Sequence, residues 1–112
     1  MPRQAKRSRI SGPALEIVAR RFKVLSEPAR LKLLLALEEG ERHVSALVKL
    51  TGLTQANVSK HLGILMEVGM VGRRKEGLNA FYFISDPQIM DLCDLMCAKL
   101  EAEFTKKSAH FR

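Results

Sequence analysis

What the sequence lacks limits the classes of protein to which it can belong. No segment approaches the roughly 20 consecutive apolar residues that a membrane-spanning helix needs. The basic start, residues 1–9, leads into no apolar run, so we expect no signal peptide and a cytoplasmic location. There is no glycine-rich phosphate-binding loop and no internal repeat. The two cysteines are expected to be reduced in the cytoplasm.

Acidic residues are scarce in the first two thirds of the chain. Residues 1–75 hold 15 Lys and Arg against 6 Asp and Glu, a net charge of +9, whereas residues 76–112 have a net charge of −2. A basic surface attracts nucleic acid because binding releases the counterions condensed on the polyanion. The distribution therefore favours a nucleic-acid partner for the first two thirds, with an ordinary basic surface as the alternative.

The length of 112 residues allows one compact domain but not two. Residues 1–12 contain Arg3, Lys6, Arg7 and Arg9 among few apolar side chains, which predicts a basic flexible arm. Such an arm either follows DNA phosphates or is simply solvated. We expect residues 13–104 to form the folded domain and residues 105–112 to form a polar tail.

The spacing of apolar residues and the positions of capping residues predict five helices and one β-hairpin. The helices are predicted over residues 13–25, 28–39, 46–51, 55–68 and 87–104, and the strands over residues 70–75 and 79–84. Val44 is expected to be extended, and Ser45 to cap the short third helix. A helix-turn-helix followed directly by a hairpin is the winged-helix arrangement, so the predicted fold is mainly α with a small β-hairpin.

The helix predicted over residues 55–68 has a face suited to a DNA groove. Val58, Leu62 and Leu65 recur at helical spacing and are expected to be buried. The opposite face and its N-cap are small or polar and carry one cation; they comprise Thr54, Gln55, Ala56, Ser59 and Lys60. Small residues allow close approach, amides and hydroxyls pair with base edges, and a lysine binds phosphate or guanine. A solvated amphipathic helix is the alternative, and the preceding helix and following basic hairpin argue against it.

Three successive cations, Arg73, Arg74 and Lys75, lie on the first strand of the hairpin. Successive strand residues point to opposite faces, so the three cannot all point the same way. We expect one or two of them to lie along the DNA backbone, and a solvated run of charge is the alternative. His61, at the edge of the buried helix face, is expected to be a hydrogen-bonded packing residue rather than a metal ligand or pH sensor.

Three segments resemble the ArsR/SmtB family of bacterial repressors. They are FKVLSEPARLKLL at residues 22–34, LTQANVSKHL at residues 53–62 and LMEVGMVGRRKEG at residues 65–77. The resemblance covers roughly residues 15–104. It implies a homodimer formed through the first and last helices, binding to an inverted-repeat operator in double-stranded DNA, and repression that an effector relieves. In the metal-sensing branches of the family, the effector is a soft or borderline metal ion or a metalloid.

Two effector sites of the family are not intact in this sequence. One uses a Cys-x-Cys pair at the start of the third helix, where this chain has His43 and Ser45. The other uses carboxylate and histidine ligands on the last helix, where Asp86 is followed by Gln88, Lys99 and Ala102 at the ligand positions. The resemblance therefore implies neither zinc sensing nor arsenic sensing of the Cys-x-Cys type.

Cys93 and Cys97 are the remaining effector candidates. Four residues apart on the last helix, their Cβ atoms lie about 5–6 Å from each other. Two such thiolates can bind a thiophilic ion such as As(III) or Cd(II), or react with an oxidant or a reactive sulfur species. They also lie within an apolar stripe, where a buried cysteine is inert; the stripe comprises Ile89, Met90, Met96, Leu100 and Phe104. All three interpretations stay open.

An enzyme is not expected. His43, His61 and His110 lie on segments away from the cysteines, and no third group completes a set of nucleophile, base and orienting residue. The alternative to an effector-released repressor is a winged helix without an effector that compacts DNA or binds another protein. Weak preference for any one DNA sequence would mark that alternative.

Overall fold

The computed structural model describes residues 10–107. The elements in chain order are α1 Gly12–Leu25, α2 Pro28–Glu38, α3 Val44–Thr51, α4 Gln55–Glu67, β1 Val71–Glu76, β2 Asn79–Ile84 and α5 Gln88–Lys107. This confirms the predicted fold class and element order. Residues 105–107, expected in the polar tail, continue α5; residues 1–9 of the predicted arm and residues 108–112 of the tail lie outside the described residues. No helix within residues 10–107 combines the length and apolarity that crossing a membrane requires.

Side chains placed just before the helices satisfy backbone N–H groups that the first turn leaves without partners. Glu27, Thr54 and Asp86 each accept a hydrogen bond from a backbone N–H two or three residues further on, at 3.4, 3.1 and 3.2 Å. Pro28 follows Glu27 at the start of α2, where its missing N–H costs nothing. The starts of α2 at Pro28 and of α4 at Gln55 confirm the prediction, whereas α5 begins at Gln88, one residue later than predicted.

The start of α3 differs from the prediction. The helix begins at Val44 rather than after Ser45, and its N-cap is His43, whose side chain makes no capping hydrogen bond. The extended residue is Arg42, whose backbone pairs with that of Tyr82 in β2 through N–H···O bonds of 3.0 and 2.9 Å. Because β2 pairs with Arg42 rather than with Val44, the extended segment ends two residues earlier than expected and α3 can begin at Val44.

The buried core lies mainly among α2, α3 and α4. It comprises Val24, Leu33, Leu34, Leu37, Leu47, Val58, Leu62, Leu65, Met70, Val71 and Met90. Val58, Leu62 and Leu65 are at most 1% exposed, which confirms the predicted buried face of α4. Among the side chains that the structure describes, α1 gives the core only Val24 and α5 only Met90, so most of both outer helices lies outside this core.

The hairpin is short and tightly packed. β1 and β2 are antiparallel, with Val71 opposite Ile84 at one end and Glu76 opposite Asn79 at the other. The turn therefore contains only two residues, and the first, Gly77, has a left-handed backbone with φ of 64°. The predicted three-residue connection was one residue too long because Glu76 belongs to the ladder.

Replacing Gly72 with alanine should destabilise the protein by about 1–3 kcal/mol. A Cβ at this position would lie 2.6 Å from the Phe83 ring, so the ring or the strand would have to move. The matched control is Gly63→Ala in α4, where no atom lies within 4 Å of the added Cβ. This change should leave stability unchanged or raise it by up to about 1 kcal/mol, because glycine is a poor helix former. Chemical denaturation measures both, and equal unfolding midpoints would contradict the close approach.

Candidate nucleic-acid interface

The outward face of α4 is polar, exposed and free of acid in its first turn. Gln55, Ala56, Ser59 and Lys60 are all exposed, as is the N-cap Thr54. The Thr54 hydroxyl accepts from the Asn57 backbone, whereas Gln55, Ser59 and Lys60 have no side-chain hydrogen bond or ion pair to any residue in 10–107. The positive end of the helix dipole and these unengaged groups face solvent together, an arrangement that can receive a phosphate or a base edge.

The turn between α3 and α4 fixes the direction in which this face points. Gly52 ends α3 in the left-handed conformation with φ of 76°, and its N–H bonds the Val48 carbonyl at 3.0 Å. The Thr51 hydroxyl donates to the Leu47 carbonyl at 2.6 Å and accepts from the Leu53 N–H at 3.2 Å. The turn of the helix-turn-helix is therefore held by local hydrogen bonds at both ends.

On the inner side, α4 is tied to α1 and α2 by Arg30. The Arg30 Nε donates to the Val24 carbonyl at 2.7 Å, and Nη1 donates to His61 Nδ1 at 3.2 Å. Because a guanidinium can only donate, His61 Nδ1 must be the acceptor. It therefore carries no proton, and the imidazole ring is neutral. Burial lowers the pKa of His61, and the nearby charges of Arg30 and Lys60 lower it further. This confirms the expectation of a hydrogen-bonded packing residue.

The three cations of β1 separate between the two faces of the hairpin, as the alternation predicts. Arg74 lies over the Phe81 ring, with its guanidinium carbon 4.7 Å from the ring centroid. Arg73 and Lys75 are exposed and belong to the opposite face. Arg74 also pairs with Glu41 and Glu76, and Glu41 is a residue that the sequence analysis did not single out. Only the unpredicted pairing of Arg42 with β2 brings Glu41 within reach.

Cys93 and Cys97 lie at the boundary between the core and the exposed part of α5. Cys93 is half-buried against the core, whereas Cys97 is exposed. Burial raises the pKa of Cys93, and the negative charges of Cys97, Asp94 and Glu38 raise it further. Within residues 10–107 no group of three or more His, Cys, Asp or Glu could hold a metal ion.

Both outer helices expose apolar side chains. On α1, Leu15, Val18 and Phe22 are 53%, 42% and 59% exposed. On α5, the described residues Met96 and Leu100 are 60% and 36% exposed, although they belong to the same stripe as the core residue Met90. Residues spaced three or four apart lie on one side of a helix, so each outer helix presents a continuous apolar strip.

Comparison with known proteins decides the family. Residues 27–72 match the sequence profile described as "Bacterial regulatory protein, arsR family". The chain is 37% identical over 83 residues to an uncharacterized HTH-type transcriptional regulator of Mycobacterium tuberculosis, Rv0081, and the alignment covers 73% of each protein. The chain belongs to the ArsR family. Members of this family are DNA-binding transcriptional regulators rather than enzymes, which confirms the predicted class.

Two solved structures share the fold. The crystal structure of M. tuberculosis Rv0081 superposes with a TM-score of 0.75 at 32% identity, covering 87% of this chain and 98% of that one. A solution structure from Mycobacterium bovis, described as a homodimeric winged helix-turn-helix DNA-binding domain, has a TM-score of 0.69 at 32% identity and covers 88% and 89%. The fold is therefore a winged helix-turn-helix.

A further relative carries a functional name. The chain is 39% identical over 77 residues to a probable mercury resistance operon repressor of Streptomyces lividans. The alignment covers 69% of this chain and 62% of the repressor, so more than a third of that protein has no counterpart in the alignment.

Acidification should destabilise the protein through His61. Folding lowers its pKa below the ordinary 6.5, so the unfolded chain takes up the proton more readily. The stability that neutral His61 contributes is fully present above the ordinary pKa. It is lost as pH falls below the ordinary pKa towards the lowered pKa of the folded state. The variant His61→Asn keeps an acceptor for Arg30 and cannot titrate. Urea midpoints between pH 7.5 and pH 5 should fall more steeply in the wild type, and parallel curves would refute the assignment.

Proposed function

We propose that this ArsR-family protein is a homodimeric transcriptional repressor that acts in the cytoplasm on an inverted-repeat operator in double-stranded DNA. The observation that carries the proposal is the outward face of α4, which is exposed, lacks acid in its first turn and is engaged by no other described residue. A helix with such a face, preceded by a short helix and a fixed turn, is suited to the major groove.

Each residue of this face suits a particular contact. The Gln55 amide can pair with adenine, Ala56 can pack against a thymine methyl, and the Ser59 hydroxyl can reach either kind of base edge. Lys60 can neutralise a phosphate or pair with guanine. Thr54, at the N-terminus of α4, lies where the helix dipole favours a phosphate.

The β1–β2 hairpin, which is the wing of the winged helix, extends the same contact surface. Arg73 and Lys75 are exposed cations on β1, which follows α4 directly. Placed along the DNA backbone, they would fix orientation without reading sequence. Repression rather than activation is supported by the name of the Streptomyces relative, a mercury resistance operon repressor.

A second copy of the chain is the partner that the outer helices fit. The apolar strips of α1 and α5 include exposed side chains at helical spacing, among them Leu15, Val18, Phe22, Met96 and Leu100. Pairing them across a two-fold axis would remove these strips from water. The same axis would place two copies of α4 on successive turns of an inverted repeat. The M. bovis relative is described as homodimeric, which supports this arrangement.

Replacing Lys60 with alanine should weaken operator binding and reduce its dependence on salt. Each phosphate that a lysine neutralises adds about 0.9 to the slope of log K against log salt, so we expect the slope to fall by about that amount. The control is Lys106→Ala, which removes an exposed lysine from the end of α5. Fluorescence anisotropy with a short duplex from the protein's own promoter measures both. Equal losses of slope in the two variants would place the DNA on another surface.

Introducing a charge into the strip of α5 should shift the protein from dimer to monomer. Met96→Glu would bury a carboxylate in the proposed interface, where its desolvation has no compensating partner. Leu78→Glu is the control, because Leu78 is fully exposed at the hairpin turn. Sedimentation velocity measures the oligomeric state of each variant. A dimer that survives Met96→Glu would exclude α5 from the interface.

The effector class that we propose is a thiophilic metal ion bound at Cys93 and Cys97. Burial raises the pKa of Cys93, so its thiolate needs a counter-charge, which a bound cation would supply. A bound cation stabilises both thiolates and is attracted by Asp94 and Glu38, the carboxylates that oppose the free thiolate. The mercury-related name of the Streptomyces relative points to the same chemistry.

The position of the two thiols suggests how such an ion would act. Cys93 lies against the core of its own protomer, whereas Cys97 lies on the exposed part of α5 that we assign to the dimer interface. An ion joining them, alone or with the thiols of a second copy, would alter how α5 packs in the dimer. The spacing of the two α4 helices on DNA would change with it.

The effector proposal predicts release of DNA by a thiophilic ion and loss of this release in Cys93→Ser/Cys97→Ser. The reduced protein on its promoter duplex would be titrated with Hg(II), Cd(II) and arsenite, and separately with peroxide and a persulfide donor. Release by the ions in the wild type alone supports the proposal. Release only by the oxidant or persulfide would make the cysteines redox or sulfur sensors. Tight binding unaffected by all agents would support a winged helix without this effector site.

A further inference from the structure

The α2–α3 connection forms a third, one-residue strand beside the hairpin. Arg42 exchanges two backbone hydrogen bonds with Tyr82, and the His43 ring lies against Phe81 with 4.2 Å between ring centroids. The connection therefore runs along the edge of β2 that β1 leaves open. Since His43 is also the N-cap of α3, the start of the helix-turn-helix and the hairpin share this sheet edge.

Arg74 reaches across β2 from β1 to the same connection. Its guanidinium lies over the ring of Phe81, its partner in the strand register. Nη2 and Nε donate to the two carboxylate oxygens of Glu41 at 2.8 and 3.2 Å, and Nη1 donates to Glu76 at 2.7 Å. A bidentate pair of this kind restricts orientation as well as distance. Arg74 thus joins both strands of the hairpin to the residue that precedes Arg42.

The charge of Arg74 is already compensated inside the protein. Arg74, Glu41 and Glu76 form a cluster of one cation and two carboxylates with a net charge of −1. Such a cluster does not attract a phosphate. Arg73 and Lys75 differ, because neither makes a side-chain hydrogen bond or ion pair with any residue that the structure describes. The three neighbouring cations therefore cannot have equivalent roles.

We propose that Arg74 is a positioning residue for DNA binding and that Glu41 is its partner in this role. The ion pair between them holds the hairpin at a fixed angle to the start of α3. When α4 lies in the DNA groove, this angle places Arg73 and Lys75 against the DNA backbone. This inference rests on the proposed DNA-binding function. It assigns an acidic residue, Glu41, a supporting role in binding a polyanion.

Single substitutions should separate positioning from phosphate contact. Arg74→Gln and Glu41→Gln should each weaken binding to the promoter duplex by up to about fivefold, the range that an exposed pair can supply, with the salt slope unchanged. Arg73→Gln should lower the slope by about 0.9. Glu76→Gln is the matched control, because Glu76 also pairs with Arg74 but lies within the hairpin. It should leave the affinity unchanged.

Exchanging the two charges gives the decisive variant. Glu41→Arg/Arg74→Glu keeps one cation and two carboxylates in the cluster and leaves the net charge of the protein as it is. If the pair positions the wing, this double variant should bind more tightly than Arg74→Glu alone and recover most of the lost affinity, with a wild-type salt slope. No recovery, together with a slope about 0.9 lower in Arg74→Gln, would make Arg74 a phosphate contact and overturn the proposal.

The outcome also distinguishes this inference from the function on which it rests. If Lys60→Ala and Arg73→Gln leave affinity and slope unchanged, the proposed DNA-binding surface is wrong. If they behave as expected while Glu41→Gln and Glu76→Gln have equal effects, the surface stands and the positioning role of Glu41 is wrong. Anisotropy on the promoter duplex and on a random duplex measures all variants under one set of conditions.

Discussion

The burial of one face of α4 is the constraint on which the rest of the structure depends. Val58, Leu62 and Leu65 fill the centre of the core, where α2 and α3 also place their leucines. With these three side chains inside, the helix has no rotational freedom, and its polar side must face outward. The same residues therefore stabilise the domain and determine which side chains lie on the proposed DNA-binding face. A rotation of α4 would cost core packing before it changed any contact with DNA.

A polar contact completes this arrangement at the edge of the core. Arg30 brings together a carbonyl of α1 and a ring nitrogen of α4, both in partly buried surroundings. Leaving either acceptor without its partner would cost the desolvation of that group. The Arg30 hydrogen bonds therefore add a directional constraint to the position of α4 that the buried apolar face already sets.

Features that depend on local sequence were predictable, and features that depend on distant pairing were not. The cap at Thr54 and the buried face of α4 follow from short-range patterns, and the structure has both as expected. The pairing of Arg42 with Tyr82 in β2 joins segments 40 residues apart, and no local sequence pattern predicts it. The early start of α3 and the partner of Arg74 both follow from that pairing. Strand alternation showed that the three cations of the hairpin cannot all share one face, but only the packed sheet shows that Arg74 is the one that pairs with Glu41.

The distribution of the core also limits how an effector on α5 can influence DNA binding. Among the described residues, α5 gives the core only Met90, one turn before Cys93, and most of its length lies outside. Binding of an ion at Cys97 would therefore have little effect on the core packing of its own protomer. In the proposed dimer the exposed strips of α1 and α5 pack against a second copy, so the proposed signal at the cysteines would pass through the dimer interface rather than through the core. In that arrangement each protomer keeps its DNA-binding surface intact, and the effector changes only the distance and angle between the two surfaces.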